Sequence, residues 1–249
     1  MIIVKTPSQV LKIKESCQIV GKFLSTVKDT IVPGMSTKQI DRLAMDMADY
    51  YKAIPGFKGY KGYPYAVCTS VNNHILHGFP SDIKLKEGDI VSIDYGILKG
   101  GYYGDAAITI PIGNISSENK RLLNVTEECL HKGIERALSG NRVGDISNAI
   151  QEHAEANGYS VVKEFVGHAI GRNLHELPQV PNYGKKNRGP LLKAGMVLAI
   201  EPILLEGKDS RVTRENNGWT VRSVSGAMSA HFEHTIVITE NTPNILSVE

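Results

Sequence analysis

Residues 90–110 read IVSIDYGILKGGYYGDAAITI. Two apolar runs, each carrying one aspartate, flank a Lys-Gly pair. The pattern predicts an antiparallel hairpin, with Gly100 accepting positive φ at no steric cost. A turn on Lys99-Gly100 sets Asp94 opposite Asp105. Directly opposed side chains share a face, with Cβ atoms about 4.5–5.5 Å apart. Two carboxylates at that distance repel, and inside an apolar sheet each also loses hydration. A bound cation relieves both costs. The alternative is one structural aspartate and one loop aspartate.

Outward from the hairpin, Thr6-Pro7-Ser8-Gln9 predicts a helix start with a capping box. Val10, Ile13, Cys17, Val20 and Leu24 continue it, and Pro33-Gly34 ends it. Ser36 to Gln39 is a second capping box, followed by an apolar face of Ile40, Leu43, Ala44, Met47 and Ala48. Residues 54–65, IPGFKGYKGYPY, are too rich in Gly and Pro for a regular element. Their rings either line a pocket or pack on the core. Residues 66–71 read as a strand, with a turn at Asn72-Asn73 and a short segment carrying His77. Residues 119–138 and 145–157 read as helices, the second closed by Gly158, and residues 184–190 as a polar loop. Residues 161–166, 196–203, 219–224 and 230–239 read as strands.

The 249 residues carry a net charge of +2 and are 41% hydrophobic, enough for a substantial core and too neutral for a general nucleic-acid binder. Cys17, Cys68 and Cys129 are widely spaced, which fits neither a disulfide framework nor a zinc motif and suits a reducing compartment. The N-terminus lacks the apolar stretch of a signal peptide, and no run is long enough to span a bilayer. A soluble cytoplasmic protein without a membrane anchor is the expectation.

The two halves echo each other. KEGDIVSID (86–94) matches KAGMVLAIE (193–201), and both end in a carboxylate after an apolar strand. GDAAITI (104–110) matches FEHTIVI (232–238), which pairs Asp105 with Glu233. HGFP at His77 matches HELP at His175. The expected architecture is α/β (α+β): one domain over 1–249 with an internal pseudo-two-fold repeat. Its two lobes would build a curved antiparallel sheet with helices on the outer face and acidic residues in the cleft.

Asp94, Asp105, Glu201 and Glu233, with His168 between glycines in VGHAIG, are too few ligands for two separate closed metal sites. They suffice for two metals sharing bridging carboxylates. Without Cys ligands a structural zinc is disfavoured, and carboxylate with imidazole suits Mn, Fe(II), Co or catalytic Zn. Such a pair activates water and polarises a carbonyl. His77 and His175 are left as donors to substrate. His231 precedes Glu233 by two residues and so shares its strand face, behind the ligands. His234 faces the other way and reads as a satisfied buried histidine, and His74, His131 and His153 as surface residues.

Taken together, HGFP (77–80), SIDYG (92–96), YYGDAA (102–107), GHAIGRNLHELPQVPNYG (167–184), LAIEP (198–202), NGWT (217–220) and AHFEHTIVIT (230–239) resemble the type I methionine aminopeptidases of pita-bread fold. The resemblance spans nearly the whole chain. It implies removal of the initiator methionine from nascent polypeptide N-termini, with a small second residue preferred. It implies two divalent ions (Co, Mn, Fe(II) or Zn). Asp94 would chelate one, Asp105 and Glu233 would bridge, and His168 and Glu201 would complete the other. Glu201 would also handle the proton of the nucleophilic water, and His77 and His175 would contact the scissile amide. Tyr60, Tyr63, Cys68 and Trp219 would line the methionine pocket, with His77 at its edge. The ribosome is an expected partner, and neither a membrane nor a specific nucleic-acid sequence is. A monomer is expected.

Phe57, Leu174 and Ala169 depart from the usual residues of that family and bear on the pocket lining rather than on metal ligation. No type II insertion lies between His168 and Glu233, and no eukaryotic N-terminal extension is seen, which implies a bacterial-type minimal domain. The competing expectations are a proline peptidase of the same fold, a non-catalytic binding module and a metallophosphoesterase. The full ligand set argues against the module. The absence of a basic cluster beside the ligand motifs argues against the phosphoesterase.

Overall fold

The computed structural model describes residues 1–248. Helix α1 (Pro7–Thr30) starts at Thr6, whose side chain accepts from the Gln9 amide while the Gln9 side chain accepts from the Thr6 amide. Helix α2 (Thr37–Tyr50) has the second capping box, at Ser36 and Gln39. Strands β1 (Ile54–Pro55), β2 (Val67–Val71) and β3 (His74–Leu76) follow, with a 3-10 turn at Tyr60–Gly62. Next comes the hairpin of β4 (Ile90–Lys99) and β5 (Tyr102–Pro111). Helices α3 (Ser117–Glu135) and α4 (Val143–Ala156) lead to β6 (Tyr159–Val161), β7 (Gly167–Ala169) and β8 (Glu176–Val180). The chain closes with β9 (Val197–Ile200), β10 (Ile203–Glu206), β11 (Val212–Arg214), β12 (Val221–Ser223), β13 (Ser229–His231), β14 (Glu233–Val237) and β15 (Asn244–Ile245).

The main sheet has nine strands in the order β1-β4-β5-β14-β9-β7-β8, with β2 also on β4 and β15 on β14. Every pairing in it is antiparallel. Two smaller sheets, β13-β10-β6 and β11-β12-β3, flank it. Within the order β4-β5-β14-β9, the central β5–β14 seam separates a hairpin of the N-terminal half from two strands of the C-terminal half.

Alternation along β4 and β5 assigns their two faces. Val91, Ile93, Tyr95, Ile97, Ala106 and Ile110 pack against α1 and α2, where the rings of Phe23 and Tyr95 lie 4.2 Å apart. The Tyr95 hydroxyl donates to the Ala44 carbonyl at 2.8 Å, so this large polar side chain is buried without an orphaned group. Leu130, Ile134, Ile146 and Ile150 of α3 and α4 pack with Leu198, Ile200 and Ile236 in the other half. Helices thus cover the outer side of the sheet, and Asp94 and Asp105 are left on the inner face.

The hairpin register differs from the sequence expectation. Gly100 and Gly101 both take positive φ (57° and 78°), so the two glycines form the turn and Lys99 stays in the strand, paired with Tyr102. Asp94 therefore pairs with Ala107, and Asp105 with Gly96. The aspartates are diagonal neighbours on one face rather than directly opposed.

Other boundaries also move. The two later helices begin about two residues earlier than expected, because Ser116 and Arg142 are the caps. Residues 162–166 are not strand. The run expected to be one strand over 196–203 breaks at Glu201-Pro202 into β9 and β10, which belong to different sheets. A proline has no amide to continue a ladder. The run over 230–239 likewise divides at Phe232 into β13 and β14. Each break is a crossing between sheets, and each lies beside a carboxylate of the inner face.

Candidate active site

The register places the acidic residues in a row. Asp94 lies opposite Ala107, and Ala107 opposite Glu233. His234 pairs with Ile200, so one further step brings Glu201 opposite Glu233 just past the end of β9. His168 pairs with Ala199, and Cys68 with Asp94. Ala107 and Ala199 stand between these side chains, and their single methyl groups leave room above the sheet. Gly167 has a related role, since a Cβ there would stand 2.4 Å from the Ala199 carbonyl oxygen. Only glycine allows β7 to approach β9 this closely and so set His168 beside the carboxylates.

All five expected ligands are nearly inaccessible, from Glu233 at 2% to Asp94 at 9%. Ligand atoms of Asp105, His168 and Glu233 all lie within 4.8 Å of one another. Glu201 Oε1 is 3.6 Å from His168 Nε2, and Asp94 and Asp105 are close enough for each carboxyl to perturb the other. Asp94 Oδ1, Asp105 Oδ1 and Glu233 Oε1 are buried without a hydrogen-bond partner. Among the described residues no Lys or Arg pairs with any of these carboxylates.

Burial pushes the Asp94 carboxyl up to about 7. Asp105, Glu201 and Glu233 are also raised well above the usual carboxylate range, by burial first and then by neighbouring charge, that of Asp94 at Glu201 and those of several cluster carboxylates at Asp105 and Glu233. Burial also pulls His168 down to about 3. The His168 Nδ1 lies 3.1 Å from the Ala169 carbonyl, which accepts a hydrogen bond from Nδ1–H, and Nε2 is thereby left with a free lone pair. Crowded, unpartnered carboxylate oxygens beside a neutral imidazole form a donor set that fits divalent cations.

This cluster is one end of a cavity of about 180 Å³. His77 and His175 line its walls. Burial lowers each to about 4, helped by Arg214 at His77 and by Lys61 at His175, so both rings are neutral at neutral pH. His77 takes a positive φ of 56°, a conformation a non-glycine residue holds only when its surroundings impose it. Tyr60 Oη lies 2.8 Å from His175 Nδ1. Tyr63 packs edge-on against Trp219 at 5.1 Å, and its hydroxyl donates to the carbonyls of Val67 and Gly78. Tyr60, Tyr63, Cys68 and Trp219 all line the cavity.

Phe57 and Leu174, noted as departures, also line the cavity, whereas Leu76 and Lys61 were not anticipated. Lys61 had one available signal, its place inside the aromatic loop. His231 approaches Glu201, with Nε2 3.8 Å from Oε2, but not for the expected reason. His231 and Glu233 lie in different strands, and β13 is carried to the site by its own sheet. His234 is satisfied by Ser247 Oγ at 2.8 Å.

Bound cations would have to displace protons from these carboxylates. Affinity for Mn(II) is therefore expected to fall as pH drops below about 7, by about tenfold per pH unit for each proton displaced. Calorimetric titrations from about pH 6 to about pH 8, in two buffers of different ionisation enthalpy, would count those protons. An affinity independent of pH would contradict this picture.

Known proteins are similar to this chain in sequence and fold. The description of metallopeptidase family M24 matches residues 11–240. A methionine aminopeptidase of Clostridium perfringens is 48% identical over 248 residues, covering 100% of this chain and 99% of that one. Methionine aminopeptidase 1 of Bacillus subtilis is 49% identical over 247 residues, covering 99% of each. The crystal structure of methionine aminopeptidase from Thermotoga maritima superposes with a TM-score of 0.98, at 46% identity over 100% of both chains. A prolidase from Pyrococcus furiosus has a TM-score of 0.78 at 22% identity, covering 99% of this chain and 66% of that one, which speaks for the fold alone. The antiparallel sheet with outer helices is thus the pita-bread arrangement expected from the motifs. With relatives near half identical from end to end and a family match across most of its length, the chain belongs to metallopeptidase family M24.

Proposed function

We propose that this chain is a methionine aminopeptidase that removes N-terminal methionine from nascent proteins and peptides, preferring a small second residue. The observation that carries the reading is the joining of the carboxylate cluster and an aromatic-walled pocket in one cavity. A free α-amine is cationic and suits the acidic end, and a thioether side chain suits the walls of Tyr63, Cys68 and Trp219. The whole chain acts as one catalytic unit with an internal repeat, each half contributing two carboxylates, Asp94 and Asp105 from one and Glu201 and Glu233 from the other.

Asp94, Asp105, His168, Glu201 and Glu233 would hold two divalent ions, of Co, Mn, Fe(II) or Zn. Those ions would polarise the scissile carbonyl and make water a competent nucleophile at neutral pH. Glu201, whose Oε1 lies 3.6 Å from His168 Nε2 at the cluster, takes the proton from the attacking water and returns it to the leaving amine. Tyr60 donates to His175 Nδ1, which fixes the tautomer and leaves Nε2–H as a donor to the scissile amide. His77 faces the same bond from the wall it shares with Trp219, 5.7 Å away. The reaction belongs in the cytoplasm, at the ribosome, on a monomer. Among the described residues no helix is long and apolar enough to cross a membrane.

Met release from Met-Ala-Ser and Met-Lys-Ser by chelator-stripped protein tests the proposal, with Mn(II), Co(II), Fe(II) and Zn(II) returned separately without oxygen. Release from Met-Ala-Ser alone, restored by metal and blocked by N-acetylation, is expected. No release by folded protein with any metal would sink the proposal, and release from X-Pro peptides instead would assign a proline peptidase.

A further inference from the structure

The cavity is electrically polarised. Its inner end holds the buried carboxylates, and Lys61 is the single cation lining it among the described residues. Lys61 is exposed and stands on the side of His175, whose ring it disfavours in the charged form. Its Nζ lies 5.3 Å from the centroid of the Tyr60 ring, and Tyr60 is the hydrogen-bond partner of His175.

The backbone holds Lys61 at this place. It sits in the 3-10 turn Tyr60–Gly62 with left-handed angles, φ 48° and ψ 25°. The turn is tied at both ends, by Gly59 N to the Tyr63 carbonyl at 2.7 Å and by Tyr63 N to the Tyr60 carbonyl at 2.9 Å. A lysine gains nothing locally from a left-handed conformation, so the surroundings impose it.

A peptide bound as proposed above has its α-amine among the carboxylates and its scissile amide at His175. Tyr60 and Lys61 are neighbours of His175, so residues beyond that amide would run on toward them. We propose that Lys61 is a specificity-determining residue, favouring peptides with an acidic side chain shortly after the scissile bond. This inference rests on the aminopeptidase reading. The inner carboxylates attract the amine and the outer ammonium attracts downstream acid, so both ends of the field orient the peptide the same way.

Three amidated peptides, Met-Ala-Glu-Ala, Met-Ala-Gln-Ala and Met-Ala-Lys-Ala, test it with Mn(II)-loaded enzyme. The expected order of kcat/KM is Glu over Gln over Lys. The Glu to Lys ratio should be about fivefold at low salt, the scale of one exposed ion pair, and should shrink as salt rises. Lys61→Gln should bring that ratio to about one, and Lys61→Glu should invert it. Equal rates for the Glu and Lys peptides, with the Gln peptide cleaved, would overturn the inference and leave the peptidase reading standing. No cleavage of any of the three would remove the reading beneath it. If both variants slowed all three peptides equally, Lys61 would merely support the Tyr60 ring and the inference would fall. Should the variants not fold, the wild-type ratio and its salt dependence still decide.

Discussion

Asp105→Asn should nearly abolish Met release and at the same time make the metal-free protein more stable. Asp105 is central to the cluster: its carboxyl feels the Asp94 charge, lies with His168 and Glu233 inside 4.8 Å, and has a buried oxygen without a partner. Its folded-state affinity for protons is raised by burial and then by the Asp94 and Glu201 charges. A carboxyl raised in this way costs nothing below its unfolded pKa of 3.8 and destabilises increasingly as pH climbs toward its folded value. Asn has no such term, so the variant's advantage should widen with pH. Neutralising one member of a buried, uncompensated charge cluster is worth about 1–3 kcal/mol. Activity should fall by at least about 10³-fold, as expected for loss of an electrostatic element at the reacting centre. Thermal unfolding of chelator-treated proteins at about pH 6 and about pH 8, repeated with Mn(II), reads both signs. A variant less stable than wild type without metal, or one retaining a tenth of its activity, would contradict the assignment.

Gly104→Ala is the second large effect, and it acts through the backbone. A Cβ at residue 104 would stand 2.4 Å from the Cys17 amide nitrogen and 2.7 Å from the Ser16 carbonyl carbon. Both are main-chain atoms of α1, so no rotamer change relieves the overlap. The helix is also tied here, because Ser16 Oγ donates to the Tyr102 carbonyl at 2.8 Å. Relief requires α1 to lift from β5 and loosens the packing of Phe23 on Tyr95. Overpacking against backbone costs about 3 kcal/mol, which lowers Tm by about 6–12 °C in a chain of this size. Asp105 is the next residue and moves with the strand, so kcat of the folded fraction should drop about tenfold or more. Cys17→Ala should not rescue the variant, since the overlap is with the amide and not the thiol. A Gly104→Ala protein with wild-type Tm would show that α1 sits further from β5 than described.

Much of this was legible in the chain. The capping boxes at Thr6 and Ser36 are local, with donor and acceptor three residues apart, and both form as written. The carboxylates were legible because an ionisable residue inside an apolar strand needs a reason. What failed was whatever a single strand cannot encode. The turn of the central hairpin had two glycine placements, and only the paired register shows that both glycines leave the strands. The breaks at Pro202 and Phe232 depend on which sheet each half-strand joins, a long-range choice. His231 reached Glu201 by such a crossing, so the face-sharing argument named the right neighbourhood for the wrong reason. Lys61 was hidden because a lysine among aromatic and glycine residues looks like an ordinary solvated loop cation.

Trp219 is the chain's single tryptophan, and it stands half-buried in the cavity wall, edge-on to Tyr63 and near His77. The protein thus carries one long-wavelength fluorophore, placed in the wall of the cavity proposed to take substrate. Any guest that displaces water from the indole, or shifts the His77 ring against it, changes the one emission band that excitation at the red edge of the indole absorption selects over the ten tyrosines. Occupancy of the cavity can then be followed in real time, without label, even in variants that no longer turn over.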